Sequence, residues 1–169
     1  MEDHDHALME IALAAAREAA SRNEVPVGAI VVSAGVVLGR GFNRREAQQS
    51  VLSHAEIIAI DEASRRLNSW RLSECDIYVT LEPCIMCVGA ILQARMRRLV
   101  YGCLDPKAGA VESLYRLCED QRLNHQLPAT GGVLASESSA LLAEFFQRLR
   151  EQKKDPPKTE RWPSPVEGA

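Results

Sequence analysis

The chain has no apolar run long enough to cross a bilayer. Its longest such stretch, Val25 to Gly39, is broken by Ser33 and falls short of the roughly 20 residues that a spanning helix needs. It also has no excess of positive charge: 20 Lys and Arg stand against 23 Asp and Glu, for a net charge of −3. A generally basic, non-specific nucleic-acid coat is therefore excluded, although a local basic patch still allows a nucleic-acid substrate. Met1-Glu2-Asp3-His4-Asp5-His6 is acidic and polar, unlike the charged and apolar segments of a secretory signal. The expected location is the cytoplasm, with no membrane partner. Aromatic residues make up only 5% of the chain, and the five cysteines (Cys75, Cys84, Cys87, Cys103, Cys118) are an odd count. In a reducing compartment these are thiols or metal ligands before they are disulfides.

What is present is ordinary for a folded protein: 46% hydrophobic and 25% charged residues over 169 positions. This composition excludes disordered, collagen-like and disulfide-dense classes. The length suggests one domain, residues 1–153, large enough to bury a core without staples. The last sixteen residues, 154–169, hold four of the eight prolines and read as a loose tail. Trp162 lies within it.

Apolar periodicity predicts a helix over 5–22, carried by Leu8, Ile11, Ala12, Ala15 and Ala19. Strands are predicted at 27–33 and 36–42 around the hairpin pair Ala34-Gly35, both covered on two faces. A helix follows at 53–67, then a strand at 76–81. Pro83 suits the first position of a helix running to 94. A strand at 98–102 completes a parallel strand–helix–strand unit. A short strand at 131–135 and a helix capped by Ser136 close the domain.

Two short pieces carry the chemistry. His54-Ala55-Glu56 opens one helix, and Pro83-Cys84-Ile85-Met86-Cys87 opens the next. Cys84 and Cys87 are three residues apart, on one helix face, where the positive end of the helix favours thiolates. Two thiolates and an imidazole suit Zn²⁺. Three protein ligands leave a tetrahedral position for water, as in catalytic zinc sites, and zinc brings the pKa of such a water near 7. Glu56 is placed to take a proton from that water and pass it to a leaving amine. His-x-Glu followed by Pro-Cys-x-x-Cys is the signature of zinc nucleobase deaminases.

Other readings of the same residues remain open. His54 is also compatible with a core histidine, and Ser53-x-x-Glu56 matches a capping box. Cys84 and Cys87 also fit a buried or redox pair. Cys103 is the nearest candidate for a fourth ligand, which would close the site into a structural one. Cys75, Cys103 and Cys118 otherwise read as packing residues. His4 and His6 read as solvated, and His125 as a structural hydrogen-bonding residue. The clusters Arg65-Arg66, Arg95 to Arg98 and Arg148 to Arg150 read as solvated faces.

From about residue 5 to 150 the sequence resembles the bacterial tRNA wobble-adenosine deaminases. The resemblance rests on the zinc signature, on Glu24 to Ala29 and on Gly41 to Arg44. Tyr78 to Cys84, Asp105 to Ala110, Asn124-His125 and Phe145-Phe146 extend it. It implies a cytidine deaminase-like α/β fold: a three-layer α/β/α sandwich on a five-stranded mixed sheet. His54, Cys84 and Cys87 would bind one Zn²⁺ per subunit, and Glu56 would shuttle protons. Adenosine would become inosine at the wobble position of a tRNA anticodon, that of an arginine tRNA by family preference. Asn43 would bond the flipped base, and Val27 would belong to its binding site. Asp105 and Lys107 would hold neighbouring nucleotides, with Phe146 and Arg150 as further contacts. The partners would be the anticodon stem-loop and a second copy of the chain, with no nucleotide cofactor. A free base or nucleoside (guanine or cytidine) as substrate, and a non-catalytic zinc-stabilised module, are the alternatives. The sequence departs from the family at Ser50-Val51-Leu52-Ser53, just before the histidine, and at Cys103, where a small residue is usual.

Overall fold

The computed structural model describes residues 2–154. The expected tail from 155 onward, with Trp162, lies outside the described residues. Five strands form one mixed sheet, in the order β2-β1-β3-β4-β5. They are β1 (Gly28–Ser33), β2 (Val36–Phe42), β3 (Asp76–Leu81), β4 (Arg98–Cys103) and β5 (Ala129–Thr130). β1 runs antiparallel to β2 and β3, whereas β3, β4 and β5 are parallel. The helices are α1 (Glu2–Ser21), α2 (Arg45–Gln48), α3 (Ala55–Leu67), α4 (Ile85–Gln93) and α5 (Ala135–Lys154).

Alternation along the central strands builds the layers. Ala29, Val31, Ile77, Val79, Leu99 and Tyr101 face α3 and α4, where Ala55, Ala59, Ala63, Val88 and Ile91 meet them. Ile30, Val32, Tyr78 and Val100 point the other way, onto Leu8, Met9 and Ala12 of α1. α5 covers β4 on that same side, with Phe145 buried. The architecture is therefore the expected three-layer α/β/α sandwich. The hairpin turn is also as expected: Ala34 and Gly35 both have positive φ, 49° and 77°, as a two-residue turn between twisted strands requires.

The differences from expectation are local. β2 is an edge strand with Val36 more than half exposed, so it is not covered on both faces. The last strand is Ala129–Thr130, paired with Leu99 and Val100, and not 131–135. Gly132 (φ 90°) and Leu134 (φ 52°) instead turn the chain into α5. Pro83 stands outside α4, because Cys84 takes the cap position with extended backbone. His54 rather than Ser53 caps α3, and no capping box forms. The Ser53 hydroxyl donates to Gln48 Oε1 at 2.5 Å instead. α2 and a 3-10 turn at Leu117–Glu119 were not expected. Such short elements have no room for an apolar period.

Not every arginine cluster is a solvated face. Arg98 donates two bonds to the Asp5 carboxylate, at 3.1 and 2.6 Å, and the Tyr78 hydroxyl adds a third at 2.7 Å. Arg97 holds Asp76 in the same two-pronged way, at 2.8 and 2.9 Å. These pairs tie the start of β4 to α1 and to β3.

A contact with no side chain between places the chemistry. At Gly39 and Gly41 of β2, an added Cβ would run into the Ala59 and Ala55 carbonyl oxygens of α3. Only glycine lets α3 lie this close to the sheet. The amino end of α3 is thereby brought beside the carboxyl end of β3, where Cys84 begins α4.

Candidate active site

His54 sits at the amino end of α3 with extended backbone, φ −79° and ψ 150°. Its Nδ1 lies 3.8 Å from Cys84 Sγ and 3.5 Å from Cys87 Sγ. Zinc–sulfur bonds of about 2.3 Å and zinc–nitrogen bonds of about 2.0–2.1 Å at a tetrahedral angle place such atoms about 3.6 Å apart. The residues present therefore fit a tetrahedral cation. Among the described residues, no further His, Cys, Asp or Glu ligand atom joins this group. Cys103 turns away, its sulfur directed at the Thr80 carbonyl oxygen at 3.7 Å. Cys75 and Cys118 are buried packing residues.

The electrostatics of His54, Cys84 and Cys87 are interdependent. Hydrogen bonding with Cys87 and His54 outweighs burial and brings the Cys84 thiol down to about 4. Cys87, the proton-bearing partner of that pair and itself buried, is pushed up. The hydrogen bond to Cys84 raises the His54 imidazole against the opposing effect of burial. A cation between the sulfurs takes over the role of these shared protons, because a coordinating thiol is deprotonated outright.

Glu56 follows two residues after His54, in the first turn of α3, and is only 4% exposed. Burial pushes its carboxyl up from the ordinary carboxylate range. A cavity of about 250 Å³ opens beside these groups, and Val27, Asn43, His54, Glu56, Cys84 and Asp105 are among its walls. Asn43 is buried. Its amide donates to the Val25 carbonyl oxygen, and its Oδ1 accepts the Arg45 N–H, each at 3.3 Å.

Three of the expected residues lie apart from this cavity. Lys107 is exposed on the loop just beyond Asp105, and Phe146 and Arg150 are exposed on α5. The departure at Ser50 to Ser53 forms a turn next to His54, with Val51 and Leu52 exposed. His125 bonds the Met96 carbonyl oxygen through Nε2 at 2.8 Å, the structural role expected of it. His4 and His6 are exposed.

Two buried glutamates were not expected here. Glu24 accepts the backbone N–H of Glu46 and of Ala47, at 3.2 and 2.6 Å, and so fixes α2 behind Asn43 and Arg45. Glu82 lies in the cavity wall just before Pro83-Cys84. For Glu82 the available signal was a lone acid at the end of the largely apolar run Tyr78-Val79-Thr80-Leu81-Glu82-Pro83; Glu24, which follows Ser21-Arg22-Asn23, had no such signal. A charge in such a place needs partners to be buried.

The profile of the MafB19-like deaminase family matches residues 2–150. A tRNA-specific adenosine deaminase of Bacillus subtilis is 42% identical over 150 residues, 89% of this chain and 93% of that protein. One from Haemophilus influenzae is 44% identical over 153 residues, 90% of this chain and 88% of that protein. A solved structure from a study of A-to-I editing by tRNA:A34 deaminases at the wobble position of transfer RNA superposes with a TM-score of 0.77. It is 47% identical and covers 80% of this chain and 98% of its own. With a deaminase profile that matches most of its length and relatives of this similarity, the chain belongs to the family of tRNA-specific adenosine deaminases.

Proposed function

We propose that this protein hydrolyses adenosine to inosine at the wobble position of a tRNA anticodon, that of an arginine tRNA, as a cytoplasmic homodimer with one Zn²⁺ per subunit. The observation that carries the proposal is the meeting of His54, Cys84 and Cys87 beside buried Glu56 in a cavity of base-binding size, in a chain of this family. No helix among the described residues is long and apolar enough to cross a membrane.

His54 and the sulfurs of Cys84 and Cys87 would hold the metal. When bound there, zinc supplies a water whose pKa is lowered toward neutrality. Glu56 takes a proton from the attacking water and gives it to N1 of the adenine as the C–O bond forms at C6, then takes the remaining hydroxyl proton and delivers it to the amino nitrogen on C6. The C–N bond breaks, ammonia leaves, and a carbonyl oxygen remains at C6. A carboxyl raised by burial suits both halves of this task, since it must accept a proton and then give it up. Asn43 offers its amide to the edge of the extruded base, and Val27 packs beside the ring. Asp105 and Lys107 hold the flanking nucleotides. Phe146 and Arg150, outside the cavity, serve parts of the stem-loop that a single base does not reach. A loop base is already largely unstacked, so extruding it costs little.

The test is incubation with an arginine-tRNA transcript carrying adenosine at the wobble position, with inosine read as guanosine after reverse transcription. Wild-type protein converts that position. The Glu56→Ala variant keeps its metal and converts none. Deamination of free nucleosides or guanine with the tRNA unchanged would establish the small-molecule alternative instead.

A further inference from the structure

Glu82 occupies an unusual position. It is 2% exposed, although it is an acid at the end of a central strand. Its Oε1 accepts three successive backbone N–H groups, from Val111, Glu112 and Ser113, at 3.1, 2.7 and 2.9 Å. Its Oε2 accepts the N–H of Asp105 at 3.0 Å and the hydroxyl of Ser113. One carboxylate thus closes both ends of the 105–113 loop. Gly109 lies in the middle of that loop against the same carboxylate, and a Cβ there would run into the Glu82 oxygens. The loop is also laced to the segment that leads into α4: Ala110 N–H donates to the Pro83 carbonyl oxygen at 2.9 Å, and Gly109 pairs with Cys84.

We propose that Glu82 is the positioning residue for the substrate-reading loop. By anchoring residues 105–113, it sets where Asp105 and Ala108 stand in the cavity wall, and so governs the binding of the nucleotides beside the reacting adenosine. The proposal rests on the wobble-deaminase reading above. His54 and Glu56 reach their places through α3, and the backbone bonds that join the loop to Pro83 and Cys84 do not use the Glu82 side chain. Loss of the clamp therefore acts on the binding of tRNA more than on turnover of the bound complex.

Charge explains why an acid and not an amide stands here. A carboxylate offers about four acceptor sites and no donor, and five donors converge on it. A glutamine in the same place has one acceptor oxygen. It can keep the Val111 to Ser113 bonds, but it then sets an N–H against the Asp105 N–H.

The experiment is steady-state deamination of an anticodon stem-loop by wild type, Glu82→Gln and Ser113→Ala, with zinc content measured on each. Hydrogen exchange is followed at Asp105 and at Val111 to Ser113. Expected for Glu82→Gln are a KM at least tenfold higher, kcat within about twofold of wild type, one zinc per chain, and fast exchange at Asp105. Ser113→Ala, which removes one bond from a residue outside the cavity, should raise KM severalfold in the same direction. A fall in kcat with KM unchanged would overturn the proposal, as would unchanged KM in both variants. Should Glu82→Gln fail to fold, an unchanged KM in Ser113→Ala would overturn it alone. Absence of inosine with wild type would instead count against the wobble-deaminase reading itself.

Discussion

His54 Nδ1 stands 3.5 Å from Cys87 Sγ, although 33 residues separate them in sequence. Two helices, entering from different strands, present these atoms at the spacing of ligands around one cation. Such a cluster is stabilised by what it holds. With free zinc at 100 times its Kd, binding adds about 2.7 kcal/mol to the folded state. At about 2–4 °C per kcal/mol for a chain of this size, the melting temperature should fall by about 5–10 °C on chelation. Activity should vanish with the metal and return on adding zinc. Cys87→Ala should bind zinc more than about 100-fold more weakly, given that second-shell changes alone cost up to that much. Metal analysis, calorimetry and the inosine assay check this together. Full activity after exhaustive chelation would refute it.

The placement of His54 depends on a residue with no side chain. Gly41 of β2 lies against the Ala55 carbonyl oxygen, the Ala59 N–H and Ile58 Cβ, all on α3. In Gly41→Ala the added methyl has nowhere to go, so α3 must lift at the end that carries His54 and Glu56. Overpacking of this kind costs about 1–3 kcal/mol. Urea denaturation should show that loss, and a competition titration with a colorimetric chelator should show weaker zinc binding. Gly35→Ala is the control, because a Cβ there meets nothing within 4 Å. It sits at φ 77°, so it should cost stability through backbone strain while leaving zinc affinity alone. Equal zinc affinity in Gly41→Ala and wild type would mean that α3 does not need this close approach.

These contacts mark the boundary of what could be read beforehand. The grouping of His54, Cys84 and Cys87 beside Glu56 was legible because metal chemistry demands particular atoms at particular spacings, and because each lies at a helix start that local pattern announces. The central strands were legible for the same kind of reason: β1, β3 and β4 are buried almost throughout, and their apolar runs say so. Glu82 stood out as an acid in an apolar run, but its role was hidden because four of its five donors are backbone N–H groups 23 to 31 residues away, and a backbone donor leaves no trace in residue identity. The displaced last strand had the same cause. Ala129 and Thr130 are exposed, so no hydrophobic pattern marked them, and only their pairing with Leu99 and Val100 makes them a strand. Ser53 matched a capping box by spacing alone, yet Gln48, which its sequence neighbours do not predict, took its hydroxyl.

The pair formed by Asp5 and Arg98 gives a pH dependence whose sign is fixed. Burial alone would raise the Asp5 carboxyl, but the bonds from Arg98 and Tyr78 outweigh it and hold the group below its ordinary value of 3.8. A carboxylate depressed on folding contributes stability that is fully present above its unfolded pKa and is lost as the pH falls through its folded one. The two side chains are 8% and 22% exposed, so solvent screens them little. Asp5→Asn leaves Arg98 without its counter-charge and should cost about 2–3 kcal/mol at pH 7. The cost should hold steady down to about pH 5 and then shrink, first as Asp5 of the unfolded chain takes up its proton and then, at lower pH, as the native carboxylate does. Urea unfolding of both proteins at pH 7, 5, 4 and 3.5 measures the difference directly. A gap that stays constant to pH 3.5 would mean that the contribution of Asp5 is one of packing and not of charge.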